Sequence, residues 1–257
     1  MVHFSIVTIN WNNLAGLKET YQSVVRQSHR NFTWIVIDGA SNDGAVEWLE
    51  HINDPQADIT SEPDNGLYDA MNKGLVKGSA LPGYTIFLNS GDMFYDETVL
   101  EKVAAAVEQA EVRPKFIYGD FYLRTGSRKL IPSNAKPIDK LFIGMPSSHQ
   151  AMYFENEHLR NVRFRDDYKL SADYCMIIEF TNGIEKPQEV LQLAEPLCIF
   201  DLTGVSEQRR FAAIKEDVHI RKRFLKLSSF KNYVLYGLHY VHAHIKSIKA
   251  ALDKRAA

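Results

Sequence analysis

Two periodicities alternate along the first half of the chain. Phe4–Ile9, Trp34–Ile37 and Tyr84–Leu88 are near-continuous runs of β-branched and aromatic residues, the pattern of strands covered on both faces. Between and after them the apolar positions fall at helical spacing. Leu17–Gln27 places Leu17, Tyr21, Val24 and Val25 on one face, and Glu97–Ala110 does the same with Val99, Leu100, Val103 and Val107. Ala45–Ile52 after Gly44 and Asp69–Lys77 before Gly78 read as further helices, and Asp58–Ser61 as a short third strand. Strand and helix in strict alternation predict βαβ units on a mostly parallel central sheet flanked by helices, an α/β fold.

The second half changes character. Phe116–Leu123 and Lys129–Ile131 read as strands joined by the turn Thr125–Ser127, Met152–Phe154 as another strand and Tyr174–Thr181 as a helix. From Glu207 onward there is no proline and one glycine, Gly237, and the pattern is helical throughout. The expected organisation is a domain over residues 1–206, with a first half at 1–112 and a second at 113–206, followed by a helical extension at 207–257.

Composition narrows the class. With 257 residues, 45% hydrophobic and 24% charged, the chain can bury one large core and is neither disordered nor of low complexity. Cys175 and Cys198 provide no disulfide framework and no metal-ligand spacing, which suits a reducing cytoplasm. No basic stretch with a long apolar region precedes Phe4, and no apolar run approaches the roughly 20 residues a membrane span requires. The expectation is a cytoplasmic protein, soluble or peripheral on a membrane. The net charge of −2 hides an asymmetry: residues 207–257 hold twelve Lys and Arg against four Asp and Glu, a local +8, which leaves −10 for the remainder. A basic C-terminal surface suggests an anionic partner there.

The strands end in chemistry. In an open α/β sheet ligands bind outside the carboxyl ends of the strands, and three apolar runs here stop on clusters of Asn, Asp, Ser and Gly. Asp38, beside Gly39, can accept from a base N–H or a ribose hydroxyl, or else start a turn or cap the next helix. Asp92, in Asn89-Ser90-Gly91-Asp92, can hold a hard divalent cation whose shell substrate phosphates complete, or belong to an Asx-type turn. Glu62 and Asp64 sit in a proline turn before a helix carrying Asp69 and Lys73, which are either an i,i+4 ion pair or, for Lys73, an answer to phosphate charge. Asp173 opens an apolar helix, where it can cap the first turn or serve as a general base. His149 lies in a polar loop before a strand, structural or functional.

Taken together these segments resemble glycosyltransferase family 2, inverting enzymes of the GT-A fold, from about Phe4 to Phe180. Ser5-Ile6-Val7 and Asn12 look like the family's first strand and following Asn, with Asn10-Trp11 in place of the usual Thr-Tyr. Asp38 to Gly44 matches its nucleotide-binding turn, and Phe87 to Asp92 lies where it carries a DXD-like metal motif. Bacterial polysaccharide-assembly members, of the colanic acid glycosyltransferase type, are similar over Ser61 to Gly74 (SEPDNGLYDAMNKG), Ser148 to Ala151 and Asp173-Tyr174. The resemblance implies a UDP- or GDP-sugar donor held near Asn10, Trp11, Asp38, Glu62, Asp64, Asp69, Lys73, Ser90, Gly91 and His149. It also implies Mn²⁺ or Mg²⁺ on Asp92, Asp173 as base, and a lipid-diphosphate-linked saccharide acceptor. Asn89 and Gly91 replace acids found in many members, so Asp92 is the expected sole protein carboxylate on the metal, and Asp173 lacks the Glu that often precedes the base.

In the extension, Leu227, Val234, Leu238, Val241, Ile245, Ile248 and Leu252 form one narrow apolar stripe among basic residues and tyrosines. That stripe can dock on its own domain, lie on a membrane through residues 221–255, or pair two copies as a homodimer; nucleic acid is not an expected partner. Two other functions compete. One is a non-catalytic nucleotide-sugar binder or assembly scaffold, against which the joint presence of Asp38, Asp92 and Asp173 argues. The other is a nucleotidyltransferase, which would want a Gly- and Arg-rich loop where Asn10–Leu14 offers neither.

Overall fold

A computed structural model describes residues 1–202 and 210–256. Strand β1 (Phe4–Asn10) is buried at every position, as its unbroken apolar run requires. It lies parallel to β2 (Phe32–Asp38) on one side and to β4 (Tyr84–Phe87) on the other, with β3 (Ala57–Ser61) outside β2. The intervening helices α1 (Leu14–Val25), α2 (Ala45–Glu50) and α3 (Leu67–Ala80) are the crossovers of these parallel strands.

Beyond β4 the sheet is mixed. Its order among the described residues is β3-β2-β1-β4-β8-β6-β9-β5, where β5 is Met93–Phe94, β6 Phe116–Arg124, β8 Met152–Glu155 and β9 Val190–Asp201, with β7 (Leu130–Ser133) hairpinned on β6. β8 runs antiparallel to both β4 and β6, whereas β6 and β9 are parallel. The remaining helices are α4 (Val99–Gln109), α5 (Asn156–Leu159), α6 (Ala172–Asn182), α7 (Arg210–Phe224) and α8 (Ser229–Ala256). The expected boundary between residues 206 and 207 lies outside the described residues.

Alternation along β1 divides the core. Phe4 and Ile6 pack with Leu17 and Val24 of α1 and Val99 and Val103 of α4. Val7 and Ile9 face the other way, among Met71 and Leu75 of α3, Ile177 and Phe180 of α6 and Ile220 of α7. Helix α3 comes unusually close to β1, because a Cβ at Gly74 would fall 2.3 Å from Val7 Cγ1.

The C-terminal helices form a hairpin on the second half of the domain. Arg221 of α7 is fully buried, donating from Nε to Asn232 Oδ1 of α8 at 3.0 Å and from Nη1 to the Ile143 carbonyl at 3.3 Å. Asn232 returns a bond to the Val218 carbonyl at 2.8 Å. Helix α8 is therefore seated through Asn232 and Ala243, both buried. This corrects one expectation: Val234, Leu238 and Val241 of the apolar stripe are exposed, so in the described part the stripe is not the face that docks on its own domain. The side chains of Ile245, Ile248 and Leu252 lie outside the described residues.

Candidate active site

The three strand ends meet as expected, and the first does so through Asp38. Its carboxylate is buried and accepts four hydrogen bonds: from Asn10 Nδ2 (2.7 Å) and Ser41 Oγ (2.6 Å) on Oδ1, and from the Ser41 N–H (2.9 Å) and Ser61 Oγ (2.8 Å) on Oδ2. Burial pushes its pKa up, but the bonds from Ser41, Asn10 and Ser61 outweigh it and hold the carboxyl below its usual range. Asp38 thereby locks the end of β2 to the ends of β1 and β3. Asn10 Oδ1 is buried and has no hydrogen-bond partner among the described residues.

Beside this knot the surface opens. Trp11 is 70% exposed, at the end of β1. A Cβ at Gly39 would fall 2.5 Å from Asp64 Oδ2 and 3.2 Å from Trp11 Cδ1, so the bare glycine lets an indole and a carboxylate close on the same patch of backbone. Asp64 Oδ1 in turn accepts from the Gly66 N–H at 2.8 Å, and Asp69 Oδ2 from the Asn65 N–H at 3.0 Å. Lys73 is engaged within this turn. Its Nζ lies 2.8 Å from Glu62 Oε1, 3.0 Å from the Pro63 carbonyl and 3.7 Å from Asp69 Oδ2. The Glu62 bond, chiefly, raises its pKa.

The third strand end carries the acidic turn. Asn13 Nδ2 donates to the Ser90 carbonyl (3.1 Å), the Gly91 N–H donates to Thr20 Oγ1 (3.0 Å), and Thr20 donates to the Asp92 carbonyl (2.7 Å). The Asp92 carboxylate points inward, accepting from the Asp201 N–H on Oδ1 (2.9 Å) and from Gln150 Nε2 on Oδ2 (2.7 Å). Burial dominates its titration and pushes it up to about 6, against those two bonds and the nearby His149. Arg124 braces the turn from behind, reaching the Gly91 carbonyl at 2.9 Å and the Asp201 carboxylate at 2.7 Å.

Opposite, α6 presents Asp173. One oxygen caps its own helix, accepting from the Tyr174 N–H at 2.8 Å, with Tyr68 Oη at 3.5 Å; the other lies 3.5 Å from His149 Nδ1. His149 Nε2 is 3.3 Å from Asn89 Nδ2. A tautomer protonated at Nδ1 suits both neighbours, so His149 spans from the acidic turn to the carboxylate of α6. The backbone before α6 is held from α7: Glu216 accepts from the N–H groups of Lys169, Leu170 and Ser171 at 3.0, 2.9 and 3.0 Å.

Among the described residues no three His, Cys, Asp or Glu side chains converge as a ready-made metal cage. The donor set nonetheless fits a hard cation that brings phosphate oxygens with it. The Asp92 carboxylate is costly to ionise where it lies, and Asn89 Oδ1, in the same turn, is a buried oxygen with no hydrogen-bond partner among the described residues.

Residues 5–168 match the model of Glycosyl transferase family 2, well over half of the chain. The chain belongs to glycosyl transferase family 2. It is 32% identical over 218 residues to an uncharacterized glycosyltransferase of Mycobacterium tuberculosis, a similarity spanning 83% of this chain and 80% of that protein. In fold it is similar to S. aureus TarS 1–349 in complex with UDP-GlcNAc (TM-score 0.66, 13% identity, 93% of this chain and 72% of that one). It is likewise similar to the mannosyltransferase PcManGT of Pyrobaculum calidifontis in complex with GDP-Man and Mn²⁺ (TM-score 0.63, 14% identity, 99% and 75%). The α/β sheet with its flanking helices is thus a GT-A fold.

Within this family frame, several residues of the site escaped sequence reasoning. Gln150 and Asn89 sit beside the singled-out His149 and Ser90, and adjacency in those polar clusters was their available signal. Asp201, Arg124 and Glu216 gave none: each reaches the site from a distant segment.

Proposed function

We propose that this glycosyltransferase moves a sugar from a UDP- or GDP-linked donor to a hydroxyl of a lipid-diphosphate-linked saccharide, with inversion, at the cytoplasmic face of a membrane during bacterial surface-polysaccharide assembly. The observation that carries the reading is the linkage of two carboxylates through two neighbouring side chains. Asp92 lies in the turn that follows β4 and Asp173 on α6, linked through Gln150 and His149, neighbours on one 3-10 turn. The donor nucleotides in the two similar structures support the donor class, and the likeness of Ser61 to Gly74 to polysaccharide-assembly enzymes supports the acceptor.

The residues divide the work. The exposed face of Trp11, with Asp64 and the bare Gly39 backbone beside it, receives the base; Asp38 keeps that platform rigid by tying Asn10, Ser41 and Ser61 together. The diphosphate lies along Ser90 and Gly91. Asp92 and the oxygen of Asn89 would hold Mn²⁺ or Mg²⁺, which when bound neutralises charge gathering on the leaving diphosphate. Asp173 takes the proton of the acceptor hydroxyl through the oxygen not committed to its own helix cap. The acceptor oxygen then attacks C1 from the face opposite the diphosphate; the C1–O bond breaks and its electron pair leaves with the nucleotide. His149 keeps Asp173 aimed and links it to the acidic turn.

Asp173→Asn preserves shape and removes the proton acceptor. Transfer is expected to fall by about 10²-fold or more, while calorimetry with UDP and GDP compounds in the presence of Mn²⁺ gives an unchanged Kd. Near-normal turnover in that variant would remove Asp173 from its role.

A further inference from the structure

Helix α8 has two unlike faces. Asn232 and Ala243 are buried against the rest of the chain, while Phe230, Val234, Leu238 and Val241 stand in solvent on the opposite side, at spacings of four, four and three. Phe230 is 80% exposed, Leu238 62% and Val241 57%. Tyr233 and Tyr240 flank them, so that six of the thirteen large exposed hydrophobics among the described residues fall within Phe230–Val241. A contiguous apolar strip left in water calls for an occupant.

Charge selects which one. From residue 218 to 252 the sequence contains no Asp or Glu but seven Lys and Arg, and among the described residues only Arg221 of these is buried. Lys222, Arg223, Lys226 and Lys231 are exposed around the start of α8. A second copy of the same face would bring like charges together, whereas an anionic surface is attracted to all of them. The apolar spacing continues in sequence through Ile245, Ile248 and Leu252, and no described helix is long and apolar enough to cross a bilayer. An apolar strip edged by tyrosine and lysine is the composition of a helix that lies in the plane of a membrane interface.

We propose that the Phe230–Val234–Leu238–Val241 face of α8 binds the surface of an anionic lipid membrane, with α7 joining it to the catalytic body. This surface is independent of the transfer chemistry, because lipid binding is measured without donor or acceptor. The full chain is mixed with sucrose-loaded vesicles of phosphatidylcholine alone or with phosphatidylglycerol, and pelleted. Expected are sedimentation with the anionic vesicles, binding about tenfold or more weaker to phosphatidylcholine alone, and loss on raising salt from about 0.1 to 0.5 M. Leu238→Glu/Val241→Glu, both at exposed positions, is expected to stay in the supernatant while keeping wild-type Tm and helical circular dichroism. The proposal is overturned if wild type ignores anionic vesicles, or if the double variant pellets as wild type does. It is equally overturned if sedimentation velocity finds a dimer that the double variant dissolves, since the face would then belong to a second copy.

Discussion

Glu216 is the joint through which the C-terminal helices act on the site, and Glu216→Ala tests that joint. Its carboxylate gathers three consecutive backbone N–H groups, those of Lys169, Leu170 and Ser171, at 2.9 to 3.0 Å, immediately before the helix bearing Asp173. Hydrogen bonds to a charged group contribute about 1.5–3 kcal/mol each, but the three do not count equally. Lys169 is exposed and Leu170 half-buried, so water takes over much of their loss. Ser171 is buried, and leaving its N–H unpaired costs about 1–3 kcal/mol. Losing a negative charge at the start of α6 adds about 0.3–1 kcal/mol. One effect opposes these: Glu216 lies near Asp217, whose carboxyl is pushed up to about 6 mainly by burial, and the charge of Glu216 is the smallest of the named contributions. The relief from removing it is therefore minor. The balance is a destabilisation of about 2–4 kcal/mol, or a Tm lower by roughly 4–8 °C at this chain length. The more telling readout is kinetic. With the segment before Asp173 loosened, kcat should fall while donor KM stays put, because Trp11, Gly39 and Asp64 lie on the other half of the domain. Glu216→Gln, which keeps one carbonyl oxygen for two of the three donors, should recover part of both losses. An alanine variant within about 0.5 kcal/mol of wild type and with unchanged kcat would refute the reasoning.

Two further perturbations test the frame. Gly74→Ala drives a Cβ to 2.3 Å from Val7 Cγ1; overpacking of about 1–3 kcal/mol outweighs the roughly 1 kcal/mol gain in helix propensity. Adding Val7→Ala should restore part of the loss, and additive effects in denaturant melts would show that the close approach of α3 and β1 does not matter. Asp92, raised to about 6, favours the protonated folded state. With chelator present, stability should therefore fall as pH rises from about 4 to about 6, by on the order of 3 kcal/mol, and stay low above that; Asp217 adds a fall of the same sign. Asp38 is held low and titrates below this window. Asp92→Asn should flatten roughly half of the slope, and Mn²⁺ at pH 7.5 should raise the Tm of wild type but not of the variant; identical pH profiles would exclude Asp92 as the source.

What the sequence revealed and what it hid divide along a physical line. The run Phe4–Asn10 declared itself because a strand covered on both faces is largely apolar, and Asp38 and the turn holding Asp92 stood out as candidates because they follow such runs. The strand Val190–Asp201 did not, since Gln192, Glu195 and Pro196 break any apolar pattern. It forms because β6 supplies parallel partners on either side of an irregularity at Gly119 and Asp120, where the register skips from Leu193 to Pro196. Asp201, which bonds Asp92 through its N–H, arrives on that strand, so its place in the site depended on a pairing between distant segments. Lys73 illustrates a different limit: spacing pointed to Asp69 as its i,i+4 partner, yet its nearest contacts are Glu62 and the Pro63 carbonyl, which helical spacing does not reveal.

Helix α8 marks the third limit. An apolar stripe is expected to take the buried face of a helix, yet α8 is seated by Asn232. Arg221 accounts for this: a guanidinium buried inside the fold needs acceptors, and the side-chain Oδ1 of Asn232 is one of them. Once a polar pair fixes which side of the helix turns inward, the hydrophobic residues are carried outward, whatever their own preference. An exposed apolar strip produced this way is held outward by the inward bonds of Arg221 and Asn232. The two halves of the C-terminal hairpin are then one device, in which Arg221 and Asn232 orient the exposed apolar strip and Glu216, less than two turns earlier on α7, holds the backbone before the helix that carries Asp173.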